Sequence, residues 1–150
     1  MLRVIREVLS FEPSGRHTHT RAALQSLTRA LHRRSVIFLL SDFFGEDLQV
    51  PLAIANRRHD VIAVHLLDPR QALLPPVGWL RLEEAESGRQ VVLDSRSPKV
   101  REAYARWGAA HRERVRAMTR AAGVDLVEVW TDKPYTDPLL KFFRMRALRR

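Results

Sequence analysis

The stretch Ser35–Asp47, "SVIFLLSDFFGED", decides how this chain is read. Val36 to Leu40 are five apolar residues in succession, the mark of a strand covered on both faces. The run ends on Ser41 and Asp42, and a helical pattern begins soon after. A carboxylate in that place has two readings. It caps the backbone that follows, or it belongs to a ligand site at the carboxyl end of a parallel strand, where open α/β sheets keep their sites.

The neighbouring segments favour a parallel sheet. Residues 46–58 carry Leu48, Leu52 and Ala55 at helical spacing, with Pro51 tolerable in the first turn. Next comes "DVIAVHLLD", Asp60–Asp68, a second buried strand closed by a proline turn. Strand, helix and strand in that order form a βαβ unit with a right-handed crossover. Upstream, Leu2, Ile5 and Leu9 predict a short helix, and Thr18 or Thr20 caps a second with the stripe Leu24, Leu27 and Leu31.

Downstream, residues 69–78 form a proline-rich loop. "WLRLEEA" and "RQVVLD" flank "ESG" and predict a hairpin with Gly88 in the left-handed region. Ser97 and Pro98 open a long helix that Gly123 stops. "VDLVEVW", Val124–Trp130, is a third strand, and Leu139, Leu140, Phe142 and Phe143 mark a last helix. The expectation is one α/β domain over residues 1–150, with parallel strands at 35–41, 60–67 and 124–130 and a hairpin at 79–94.

Composition narrows the function classes. The 150 residues are 45% hydrophobic and 29% charged, as in globular proteins, and no apolar run reaches the length of a membrane span. "MLRVIREVLSF" is too short and too charged for a secretory signal, which points to the cytoplasm. Without cysteine there are no disulfides, no zinc fingers and no thiol catalysis. The net charge of +9 suggests phosphate contacts and keeps a basic nucleic-acid-binding protein as the alternative reading. The basic residues are spread, however. Arg33-Arg34, Arg57-Arg58 and Arg149-Arg150 close helical patterns. In the long helix, Val100, Tyr104, Trp107, Val115 and Met118 form the inner stripe. Lys99, Arg101, Arg106, Arg112, Arg114, Arg116 and Arg120 fall on the solvent side.

"FLLSDFF", "RRHDVIAVHLLDP", "EAESGRQVVLD" and "AGVDLVEVWTDKPYTDPLLKFFR", in this order, resemble the carboxyl-terminal part of bacterial domain of unknown function 58 proteins. The resemblance spans about Leu2 to Arg146. It implies a von Willebrand factor A-like, doubly wound fold that binds a divalent cation at the strand ends. It also implies a protein partner, a MoxR-type AAA+ ATPase. Such a domain's metal-ion-dependent adhesion site has three parts, and two match here. Asp42 matches the aspartate after the fourth strand, and Thr18 matches the loop threonine. His17, His19 and Thr20 stand beside it where relatives read differently. The third part, Asp-x-Ser-x-Ser, does not occur in these 150 residues, as expected if the chain begins downstream of it. Mg²⁺ takes about six oxygens, so Thr18 and Asp42 alone leave the site incomplete; no cofactor is expected unless the missing motif is supplied.

Other constellations carry less. His17 and His19 with Asp42 offer two imidazoles and a carboxylate, the motive for a metal-dependent hydrolase as a distant alternative. His65 on its buried strand reads as a hydrogen-bonded core residue. Ser41 lacks a nucleophile elbow, Glu83, Glu84 and Glu86 have no matched partner, and there is no glycine-rich phosphate loop. Trp79, Trp107 and Trp130 read as core or interface residues. The leading expectation is a non-catalytic interaction module. Its strand at 35–41 bears no charge, proline or bulge to blunt an edge, so a homodimer is expected to cover it.

Overall fold

The computed structural model describes residues 2–12, 18–84 and 87–148. Helix α1 covers Leu2–Ser10 and α2 Thr20–Ala30; strand β1, Val36–Ser41, and strand β2, Asp60–Leu67, enclose α3, Gln49–Arg58. A single turn, α4 (Pro69–Ala72), leads to β3 (Trp79–Glu83) and β4 (Gln90–Asp94). Then follow α5 (Pro98–Ala121), β5 (Asp125–Trp130) and α6 (Thr136–Ala147). The sheet is parallel in the order β1-β2-β5, and β3 and β4 form a separate antiparallel hairpin. The α/β class and all three parallel strands stand where the patterning puts them.

Alternation sorts the side chains of the sheet into two cores. Ile37, Val61 and Ala63 point to one face and pack with Leu24 of α2, Leu52 and Ala55 of α3 and Val115 of α5. Ile62, Val64, Val127 and Val129 point to the other, where α6 covers them with Phe142 and Leu139. β2 lies between two strands and is buried on both faces, as its uninterrupted apolar run predicts.

β1 corrects that expectation. Its run is as apolar, yet only Ile37 is fully buried, while Val36, Phe38 and Leu40 on the α6 face are 56%, 45% and 61% exposed. The reason is position. β1 is an edge strand, and α6 sits over β2 and β5, reaching β1 through Phe143, whose ring meets Phe38 at 6.1 Å between centroids.

The helices depart from their stripes in the same way. The cap of α2 is His19, without a side-chain bond, rather than Thr18 or Thr20, and its inner face is Leu24 and Thr28, leaving Leu27 exposed. The buried Thr28 hydroxyl is satisfied by the Leu24 carbonyl at 2.7 Å. On α5 the buried positions are His111, Val115 and Thr119, one face at i, i+4 and i+8, whereas Trp107 is 46% exposed. Leu140 and Phe143 of α6 are exposed as well.

Gly108 shows why the middle of α5 lacks a side chain. A Cβ there would stand 2.5 Å from the backbone oxygen of Gln71, where α4 crosses. Gly108→Ala should gain the helix preference of alanine, about 1 kcal/mol, and lose more than that by prising α4 away. Urea unfolding should therefore show a net loss of about 1–2 kcal/mol; a gain would mean that α4 yields freely. The hairpin is tied at its base by Ser95, whose buried hydroxyl accepts from the Val77 and Gly78 amides and donates to the Gly78 carbonyl. Gly88, at φ +69°, takes the left-handed conformation expected of it.

Candidate functional site

When β1 ends, its backbone loses sheet partners, and Ser41 and Asp42 supply them. The Ser41 hydroxyl accepts from the Phe43 amide at 2.9 Å, and the Asp42 carboxylate accepts from the Phe44 amide at 3.2 Å. The two side-chain turns in succession bend the chain sharply, and Phe43 sits at φ +57°, a conformation that a bulky residue adopts only at a cost. Its buried ring offsets that cost. The Asp42 carboxylate is thus a backbone cap in the geometry of this chain.

The sheet register places Ser41, His65 and Glu128 in one row across the three strands, at their carboxyl ends and on the face that α5 covers. From α5, His111 donates through Nε2 to the Asp42 carbonyl at 2.9 Å, which places the imidazole proton on that nitrogen. The His111 ring stacks on Phe44 with centroids 3.9 Å apart, and Trp107 stacks on the same ring at 5.4 Å. His65 is edge-on to both Phe43 and His111, at 5.6 Å from each.

His65 is wholly buried, and among the described residues neither of its ring nitrogens makes a well-formed hydrogen bond. That corrects the expectation of a hydrogen-bonded core residue: the nearby Asp42 carbonyl is engaged by His111. Burial, and then the charge of His111, lower its pKa to about 4. The imidazole is held neutral.

Glu128 is the opposite case. Burial disfavours its charge, but fork-like hydrogen bonds from Arg112 (2.9 Å through Nε) and Arg116 (2.8 and 2.9 Å) outweigh that and lower its pKa to about 2. Arg112 and Arg116 therefore face β5, not open solvent as the helix stripe suggested. The guanidinium of Arg112 also lies over Trp130, 5.3 Å from the ring. Two of the seven cations assigned to the solvent side of α5 are thereby spent within the fold. Arg146 is spent likewise, on Asp60 and Asp125.

The remaining sequence candidates fall as follows. Thr18 is exposed just before α2, and His17 lies outside the described residues. The start of α2 does reach the β1–α3 loop, through Arg21, whose amide donates to Glu46 at 2.8 Å and whose guanidinium donates to the Asp47 carbonyl at 3.0 Å. The two halves of the anticipated site thus lie on elements that meet. No hydrogen bond joins Thr18 to Asp42 among the described residues, and no group of three or more His, Asp or Glu suited to a metal occurs there. Glu83 accepts from Gln90 and Glu84 from Ser87, both within the hairpin; Glu86 lies outside the described residues. Among the described residues, no helix is long and apolar enough to cross a membrane.

The class so defined is an open parallel α/β unit with a polar row at its strand ends. More particularly, the chain belongs to the DUF58 family, described as proteins of unknown function, whose model matches residues 1–114. It is 35% identical over 149 residues to the uncharacterized protein Rv1480 of Mycobacterium tuberculosis and to Mb1516 of Mycobacterium bovis, covering 97% of this chain and 46% of each relative. It is 32% identical over 137 residues to the uncharacterized protein MAV169 of Mycobacterium avium, covering 89% of this chain and 79% of that one. The chain thus spans about half the length of the first two. No solved structure matches it significantly.

Proposed function

We propose that the chain is a cytoplasmic, non-catalytic interaction module of the von Willebrand factor A type, whose partner is a MoxR-type AAA+ ATPase. One observation carries the non-catalytic part. The row's three polar side chains, Ser41, His65 and Glu128, are each hydrogen-bonded or sealed from solvent, and the exposed Asp42 carboxylate beside them accepts a backbone amide. Ser41 and Asp42 hold backbone amides, Glu128 is held by two arginines, and His65 is neutral and inaccessible. A general base needs reach to a substrate proton, and a nucleophile needs a base beside it. Neither condition is met by this row. The partner rests on the family resemblance of the four sequence motifs, not on the geometry.

The divalent cation of such domains does not fit the donors of this chain. Asp42 and Thr18 supply one carboxylate, already accepting a backbone hydrogen bond, and one hydroxyl, against the six oxygens or so that Mg²⁺ requires. The interaction proposed here therefore proceeds without it. Biolayer interferometry between the purified chain and a purified MoxR-type ATPase tests both points. Saturable binding should appear, and a chelator should change its affinity by less than about two-fold, since no full ligand set is present. Absence of binding by the folded chain removes the partner. A chelator that abolishes binding removes the metal-free reading and restores Thr18 and Asp42 as ligands.

A further inference from the structure

We propose that the groove between α2 and α3 docks an amphipathic helix of a partner protein, apolar along one face and acidic at the end that lies over Arg29 and Arg58. This goes beyond the ATPase reading and does not depend on it.

Two stripes build the groove. They run in the same direction, because each helix leads into a strand of one parallel sheet. On α3, Val50, Ile54 and Arg58 stand at i, i+4 and i+8. On α2, Arg21, Gln25 and Arg29 line the other wall at the same spacing, and the buried Leu24 forms the floor. The space between them is about 480 Å³. α3 already buries Leu52 and Ala55 in the core, so Val50 and Ile54, each more than half exposed, form a second apolar stripe that the core does not use. All of these walls belong to helices, and none to an edge of the sheet.

Charge gives the groove a direction. At its amino end Arg21 is occupied by the Asp47 carbonyl, with the Asp47 side chain nearby. At its carboxyl end it opens into a second hollow of about 310 Å³, which shares Arg29 and Arg58 and adds Arg33 and Arg34. No carboxylate lines that hollow, and among the described residues none of the four arginines makes an ion pair. The ends of α2 and α3 offer roughly one negative charge between them, against four guanidinium groups. The excess calls for carboxylates, which fit the guanidinium fork.

The same features select the occupant. An apolar floor gives nothing to a phosphate backbone. A second copy apposed about a two-fold axis sets arginine against arginine. Helix α1 of this chain carries Arg3 and Arg6 against a single Glu7. An acidic amphipathic helix from another protein matches both halves, and about ten residues of it span the length of α3.

Fluorescence anisotropy with the full chain tests the docking. The probe is a labelled peptide of about 15 residues, leucine at i, i+3, i+4 and i+7 and glutamate elsewhere. At about 150 mM salt it should bind saturably, and its lysine-for-glutamate counterpart should not. Ile54→Glu, and Arg29→Glu with Arg58→Glu, should each weaken binding about ten-fold or more. Arg81→Glu with Arg89→Glu makes the same change of net charge on the exposed hairpin and should alter it less than about two-fold. The lysine peptide should bind the Arg29→Glu, Arg58→Glu chain. Circular dichroism checks that each variant is folded. Failure of the glutamate peptide to bind the wild type overturns the proposal, as does an indifferent Ile54→Glu or a hairpin variant as weak as the groove variants. Tighter binding of oligo-dT than of the peptide assigns the face to nucleic acid and overturns it too. Self-association of the chain that Ile54→Glu abolishes gives the groove to a second copy, with the same consequence.

Discussion

Glu128→Gln is expected to lower the stability of the fold by about 2–3 kcal/mol at pH 7, chiefly by taking from Arg112 and Arg116 the carboxylate they share, Arg116 keeping Glu113. The side chain of Glu128 is 17% exposed and those of Arg112 and Arg116 are 34% and 38% exposed, so the full penalty of a deeply buried orphan charge does not apply. Glutamine keeps the shape and one acceptor oxygen, while the second guanidinium fork loses its partner. Because the folded-state pKa of Glu128 is depressed to about 2, its contribution is fully present above the ordinary carboxylate value. It is lost as pH falls from there through 2. Urea midpoints between pH 7 and pH 3 should thus converge for wild type and variant toward the acid end. A constant gap across that range would assign the loss to packing instead of charge.

The second large effect belongs to His65. The unfolded chain takes up its proton near the ordinary imidazole value of 6.5, and the folded chain only near 4, so the unfolded state binds more protons in between. Stability should therefore fall as pH drops from 6.5 to 4, by up to about 1.4 kcal/mol per unit. His65→Leu should abolish this slope. The buried ring makes no well-formed hydrogen bond among the described residues, so the substitution is expected to cost little at pH 7.5 and to stabilise the fold by about 2 kcal/mol at pH 5. Denaturant titrations at those two pH values check it. Equal pH slopes in the two proteins would show that His65 is not the group responsible.

The difference between what was legible and what was not follows one physical line. Strand positions were legible because β-branched and apolar runs at 36–41, 60–67 and 124–130 have few other stable conformations, and the glycine and proline punctuation between them is local. The apolar run from Val36 to Leu40 located Asp42 at a strand end. It could not show that the carboxylate is engaged by the Phe44 amide. His111 and Glu128 escaped sequence reading. A helical stripe drawn from apolar residues passes over a histidine, and an alternating strand does not reveal that its glutamate lies under two arginines. A faint signal was present: His111, Val115 and Thr119 share one face of α5.

The sequence by itself determined the alternation of strands and helices, the parallel pairing, the turn at Gly88 and the family, since each depends on residues close together in the chain. Only the tertiary structure decided which of two equally apolar strands is buried on both faces. β2 is central and β1 is at the edge, so identical patterning ends in a sealed core in one and an open strip in the other. It also decided that Ser41, His65 and Glu128 form a single row, because strand register is set by packing across the sheet, between residues far apart in sequence.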